Sequence, residues 1–141
     1  MRSDSTKILT LMFAIGRQMR DGGGKKKKNP SYSVLHFQTM RYVEERRHPL
    51  MQEVAGYLCV TPPAATLLID GLVREKLLFR SFDTKDRRAV RVTLTEQGKN
   101  FLARGIKEKT SKLKKMFAVL TPKERTQFIA ILEKISKKSR S

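Results

Sequence analysis

Asp86-Arg87-Arg88-Ala89-Val90-Arg91-Val92-Thr93-Leu94-Thr95-Glu96-Gln97-Gly98 is the stretch that decides the fold. Val90, Val92 and Leu94 alternate with Arg91 and Thr93, the period of a strand with one apolar face. Just upstream, Leu78-Phe79-Arg80 predicts a second strand, and Asp83-Thr84-Lys85-Asp86 between the two is rich in turn formers. Together they predict a β-hairpin whose tip carries Lys85, Arg87 and Arg88. Downstream, Thr95 is a good N-cap. It opens a long helix in which Leu102, Ile106, Leu113, Phe117 and Leu120 recur at helical spacing.

Working outward toward the amino terminus, the apolar period changes from two to that of a helix. Thr61-Pro62 predicts a helix start, because threonine caps the free amides and proline at the first position has none to leave unpaired. That helix extends to about residue 75, with Ala65, Leu68, Ile69 and Leu72 on its inner face. Val54, Ala55 and Leu58 mark a short helix over 51–58. Phe37, Met40 and Val43 mark another over 33–47, stopped at His48-Pro49 because the residue before a proline avoids the helical region. Ile8, Leu11, Met12, Ile15 and Met19 give an amphipathic helix over 5–20, which Asp21-Gly22-Gly23-Gly24 ends. The Lys25 to Lys28 run reads as a mobile, solvated loop, with a phosphate-contacting arm as the alternative. At the other end, Thr121-Pro122-Lys123-Glu124 is a capping box with proline at the first position. Phe128, Ile131, Leu132 and Ile135 form the apolar face of the helix it starts, and residues 137–141 are expected to fray.

Three helices followed by a hairpin are the order of a winged helix-turn-helix, which reads duplex DNA through the second helix of its turn motif. The predicted fold class is therefore mainly α with a small β-hairpin. The winged helix-turn-helix occupies 31–95. An N-terminal dimerisation helix and basic loop occupy 1–30, and C-terminal dimerisation helices occupy 96–141.

The charge supports a polyanionic partner. The 141 residues hold 31 Lys+Arg against 13 Asp+Glu, a net charge of +18. An apolar content of 39% is too rich for a solvated, disordered chain. No apolar run approaches the roughly 18–20 residues of a membrane span, and the amino terminus lacks the apolar block of a signal peptide, so a cytoplasmic protein is expected. Cys59 stands alone, which excludes an intrachain disulfide framework or a multi-thiolate metal site. Nucleic acid is the first candidate partner and an anionic membrane surface the second. The charge is unevenly spread: residues 1–30 carry +6, 31–95 only +3, and 96–141 +9. The segment expected to read the ligand is the least basic.

The stretch 86–98 resembles the wing signature of the MarR (multiple antibiotic resistance) family of bacterial transcription regulators. In that pattern Asp-x-Arg at the wing tip precedes a strand and then Leu-Thr-x-x-Gly at the next helix. Val60-Thr61-Pro62-Pro63-Ala64-Ala65-Thr66-Leu67-Leu68-Ile69-Asp70 is similar to the family's recognition-helix region. The resemblance implies that Arg88 enters the minor groove beside the site while Asp86 holds its guanidinium. A narrow minor groove concentrates negative potential, and a guanidinium loses less hydration there than an ammonium would. It further implies that Thr61, Pro63, Ala64, Thr66 and Leu67 face the major groove and that Lys85, Asp86, Arg87 and Arg88 form the wing contact. A solvated wing tip with surface ion pairs, and a Leu67 that packs on a neighbouring helix, are the structural alternatives.

Three positions depart from the family pattern. Leu67 stands where many relatives carry a polar residue or arginine. Only two of the groove-facing residues, both threonines, can hydrogen-bond a base edge, so reading would rest on thymine methyl contacts, phosphate placement and the wing. Cys59 stands where the turn usually has glycine, storing roughly 1 kcal/mol of left-handed strain. It is either a small residue tolerated in a turn or a redox-sensitive thiol. Lys76 stands where relatives often have glycine after the recognition helix.

No catalytic or cofactor site is expected. His36 and His48 sit in no cluster with metal-ligand spacing. Gly22-Gly23-Gly24-Lys25 lacks the spacing and preceding strand of a phosphate loop, and there is no nucleophile elbow or carboxylate dyad. The chain therefore reads as a non-enzyme. Its first, fifth and sixth helices bury little apolar surface on so small a winged helix, which predicts a homodimer on a pseudo-palindromic operator. The resemblance also implies a small aromatic ligand in a cleft drawing on the first, second and fifth helices. The expected function is a DNA-binding repressor. A weakly specific architectural DNA-binder and a protein-interaction adaptor are the competing readings.

Overall fold

Three threonines start three of the helices. In the computed structural model, which describes residues 4–22 and 32–138, the hydroxyls of Thr61, Thr95 and Thr121 accept the backbone N–H groups of Ala64, Gly98 and Glu124 at 3.3, 2.9 and 3.1 Å. Glu124 closes the capping box by accepting the Thr121 N–H at 2.8 Å. Among the described residues the order is α1 (Asp4–Gly22), α2 (Tyr32–Arg46), α3 (Met51–Leu58), α4 (Pro62–Arg74), β1 (Leu78–Phe82), β2 (Val90–Leu94), α5 (Glu96–Met116), a 3-10 turn (Phe117–Val119) and α6 (Pro122–Lys138).

One core sits beneath the turn motif and the hairpin. Met40 and Val43 of α2, Val54 and Leu58 of α3, Leu68 and Ile69 of α4, Leu78 and Val92 of the hairpin and Leu102 of α5 are all fully buried in it. β1 and β2 are antiparallel, with Leu78 opposite Leu94 and Phe82 opposite Val90. The hairpin gains an edge that its own sequence does not announce. Leu50 forms an isolated antiparallel bridge to Arg91, and the Val92 N–H donates to the Pro49 carbonyl at 3.0 Å. The turn after α2 thereby becomes part of the wing.

A second, smaller cluster joins Ile8 of α1 to Ile129 and Leu132 of α6, with Leu11, Ile15, Phe117 and Phe128 around it. Ile8, Leu9 and Ala14 of α1 are buried, and α1 packs on α5 and α6 of the same chain. Met12 is exposed, as are Ile131 and Ile135 of the face predicted for α6. Each helix carries an apolar stripe wider than the strip its neighbour covers.

Other boundaries differ for local reasons. α1 runs through Gly22, two residues past the predicted end, since one glycine in a last turn costs little. The Lys25 to Lys28 run, and residues 139–141 of the tail expected to fray, lie outside the described residues. The repeat from Leu102 to Leu120 is not one helix. α5 stops at Met116, and Leu120 is extended at φ −87°, ψ 142°. Pro122 disfavours a helical residue immediately before it, so the chain must break before α6.

Candidate nucleic-acid interface

The turn motif is built around a strained residue. Cys59 ends α3 at φ 56°, ψ 47°, the left-handed conformation that its place in the turn demands. Its backbone N–H donates to Gly56 O at 3.3 Å and the Val60 N–H to Ala55 O at 3.2 Å, which closes the helix. Thr61 then returns the chain to extended geometry, and Pro62 enters α4. The far end repeats the device: Lys76 has φ 62°, as the glycine usual at this place would allow.

α4 divides the predicted contacts. Pro63, Thr66 and Leu67 are exposed, Leu67 at 63% of its surface. Ala64 is not: it is 5% exposed, so its methyl faces the core and it leaves the set of groove residues. α4 begins at Pro62, and this phase points positions 64, 65, 68 and 69 inward together. The polar groups on the outer side are already engaged. Thr61 holds the cap, the Thr66 hydroxyl donates to Pro62 O at 3.0 Å, and Asp70 forms an ion pair with Arg80 of β1. What α4 presents is a largely apolar surface.

The wing is polar, and two carboxylates shape its tip. Asp83 Oδ2 accepts the Asp86 N–H at 3.3 Å, and Asp86 Oδ1 accepts the Arg88 N–H at 3.0 Å. The stronger grip of Asp86 is therefore on the Arg88 backbone. The guanidinium lies at 3.9 Å, the outer limit of an ion pair, and the Arg88 side chain is 97% exposed. A contact this open contributes little to stability. Lys85 and Arg87 are exposed beside it.

A second ion pair lies beneath the first. Arg91 Nε donates to Asp83 Oδ1 at 2.7 Å, and Arg91 Nη1 donates to the His48 carbonyl at 2.6 Å. His48 Nδ1 and Thr93 Oγ1 are 2.8 Å apart, a further link from the turn after α2 to β2. The Arg91 hydrogen bond holds the Asp83 carboxyl below the usual carboxylate range. Sequence reasoning missed this arrangement, as it missed the exposed Phe79 and Phe82 on β1. The signal was present once the hairpin register is known: pairing Phe82 with Val90 brings Asp83 toward Arg91.

The motif Thr95-x-x-Gly98 gains a structural reason. The Thr95 hydroxyl donates to Lys76 O at 2.6 Å while accepting the Gly98 N–H. A Cβ on Gly98 would fall 2.1 Å from the Leu77 carbonyl oxygen. Glycine is what lets α5 lie against the connection from α4 to β1.

These elements converge. A cleft of about 250 Å³ between the turn motif and the wing is lined by Met51, Gln52, Pro62, Thr66, Arg88 and Val90, among others. Two predicted site residues from different elements, Thr66 and Arg88, thus share its walls. A larger cleft of about 550 Å³ lies between α1 and α2 and reaches Tyr57 of α3, Ile106 of α5 and Ser136 of α6. Tyr42 stacks on Tyr57 with centroids 4.2 Å apart, and Arg41 lies 5.5 Å from the Phe13 ring centroid. Burial, and next the Glu53 charge, raise the Tyr42 phenol above its ordinary value.

No family model matches the sequence. Among curated proteins, the chain is 27% identical over 107 residues to YkoM of Bacillus subtilis, an uncharacterised HTH-type transcriptional regulator; the match spans 76% of this chain and 70% of that one. It is 29% identical over 86 residues to the HTH-type transcriptional repressor MdtR of the same bacterium, spanning 61% of this chain and 56% of MdtR. Among solved structures, a MarR transcriptional regulator from Methanosarcina mazei Go1 superposes with a TM-score of 0.66 at 26% identity, covering 74% of this chain and 76% of that one. The MepR–DNA complex of S. aureus shares the fold at a TM-score of 0.61 and 23% identity, covering 73% of this chain and 76% of MepR. These relatives are transcription regulators, not enzymes.

Proposed function

Given that the chain is a MarR-like winged helix-turn-helix protein, we propose that it is a dimeric, sequence-specific regulator that binds double-stranded DNA. The observation that carries this reading is the convergence of α4 and the wing, with Thr66 and Arg88 on the walls of one cleft. Thr61, Pro63, Thr66 and Leu67 then face the major groove. Leu67 and the proline rings suit thymine methyl groups better than polar base edges. Lys85 and Arg87 meet phosphates, Asp86 shapes the tip, and Arg88 enters the flanking minor groove.

What one chain leaves uncovered supports dimerisation. Met12 on α1, Met116 at the end of α5, Val119 in the 3-10 turn after it, and Ile131 and Ile135 on α6 are exposed apolar residues outside the reading head. A second copy would cover them and set two α4 helices in successive major grooves, roughly 10 bp apart. The assembly would have a mass of about 32 kDa, twice the 16.2 kDa chain. It acts as a repressor by occluding a promoter in the cytoplasm. A small aromatic ligand modulates it by binding in the cleft between α1 and α2, whose lining includes Tyr42, Tyr57, Phe13 and Arg41.

Affinity for genomic fragments and for random duplex, measured across a salt series, tests the reading. The expected result is a preference of about 10³-fold or more for certain fragments. Equal affinity for all fragments favours the second reading, an architectural DNA-binder, which the +18 charge and the apolar α4 surface support. Failure to bind any duplex at low salt leaves a protein-interaction adaptor.

A further inference from the structure

The wing holds two Asp–Arg pairs of opposite character. Asp86–Arg88 is open and loose, at 3.9 Å with side-chain exposures of 59% and 97%. Asp83–Arg91 is tight and half-covered, at 2.7 Å with exposures of 18% and 36%. Arg91 also does what a lysine could not. Its planar fork binds in two directions, with Nε to the Asp83 carboxylate and Nη1 to the His48 carbonyl. The bridge therefore runs from the wing tip to the turn that follows α2, where Arg47 takes φ 69°. The main chain reinforces it through the Leu50–Arg91 bridge and the bond from Val92 to Pro49. Asp83 completes the chain of contacts, because its other carboxylate oxygen accepts the Asp86 N–H, and Asp86 in turn holds the Arg88 N–H.

We propose that Arg91 is a positioning residue: with Asp83 it braces the wing against the turn after α2 and so sets the direction in which Arg88 leaves the hairpin. A side chain 97% exposed cannot aim itself, since it has lost little rotamer freedom. Its backbone can be aimed, and every link from Arg88 N–H back to Arg91 is a hydrogen bond of 3.3 Å or less. The inference rests on the DNA-binding reading above, and its test separates the two.

The test uses the full chain and two 30-bp duplexes. Both carry one centre selected by the protein from a random pool, and they differ only in A·T-rich or G·C-rich flanks. The wild type is expected to prefer A·T flanks by about tenfold, the scale of one good arginine contact. Asp83→Asn is the sharpest variant. It removes a negative charge beside DNA, so general attraction should hold or rise, yet the flank preference should fall to about twofold or less. Arg91→Ala and Arg91→Lys should do the same, the lysine because a single ammonium cannot span both partners. Arg88→Ala should lose the preference alone, and Arg88→Ala with Asp83→Asn should lose no more, as expected for residues acting through one contact. If Asp83→Asn and Arg91→Lys keep the wild-type preference, the brace proposal fails while DNA binding stands. A wild type with equal affinity for both flanks also overturns it. A wild type that binds neither duplex at low salt removes the DNA reading and the brace with it.

Discussion

The outer surface of α4 and the tip of the wing face the same cleft, yet they are built on opposite chemistry. On α4 the polar groups are already engaged by the protein: Thr66 with Pro62, Thr61 with the cap, Asp70 with Arg80. Prolines and Leu67 remain on display. On the wing, Lys85, Arg87 and Arg88 are exposed, over carboxylates that fix the backbone beneath them. The difference separates two tasks. Charge acts over about a Debye length and weakens with salt, whereas apolar contact acts only at touching distance and is nearly salt-independent. The wing can draw the protein onto any duplex and sense groove width; α4 can discriminate only bases it touches.

That comparison can be broken most severely from below. Leu68, on the inner side of α4, is fully buried in the core. Leu68→Ala should lower the free energy of unfolding by about 2–5 kcal/mol in a urea titration. A loss under about 1 kcal/mol would mean that the core does not seat α4 firmly. Gly98→Ala should cost about 1–3 kcal/mol, because the new Cβ meets the Leu77 carbonyl 2.1 Å away and backbone must shift. Unchanged stability would show that α5 can slide off the seam. On the wing, Arg88→Ala should weaken binding to A·T-flanked DNA by about tenfold and to G·C-flanked DNA less. Equal losses would reduce Arg88 to a phosphate contact.

Smaller effects sharpen the picture. Cys59→Gly should raise stability by up to roughly 1 kcal/mol, since glycine adopts the left-handed geometry without strain. A destabilised variant would mean that the thiol's packing outweighs that strain. For Asp83, whose carboxyl is depressed, the stabilising contribution is present above the ordinary aspartate value of about 3.9. It is lost as pH falls through the lower folded value. Amide exchange at the wing tip should therefore loosen only on acidification below about pH 4, and Asp83→Asn should abolish that dependence.

Most of the fold was legible because its signals are local. Thr61-Pro62, Thr95 and Thr121-Pro122 each determine a helix start through bonds within four residues, and the alternation at Val90, Val92 and Leu94 needs no partner to be seen. The site was less legible because its key contacts are not local. Arg91 reaches a carbonyl 43 residues away, a contact that the hairpin register alone does not announce. Ala64 looked like a groove residue because position in the first turn was weighed without the phase of α4. The exposed Ile131 and Ile135 could not be told from buried ones, since an apolar stripe does not say how much of it a neighbour covers.

The division between attraction and discrimination is tested most directly by one salt titration. Binding of wild type, Arg88→Ala and Leu67→Ala is measured from low to high salt on a selected duplex and on random duplex. Arg88→Ala removes a cation whose entry into the groove releases counterions, so it should reduce the slope of log K against log salt by about 0.9. Leu67→Ala should leave that slope unchanged and shrink the ratio of selected to random affinity by about fourfold or more, the scale of apolar burial that an alanine cannot supply. The account is contradicted if Leu67→Ala leaves the ratio intact, or if it changes the slope as Arg88→Ala does.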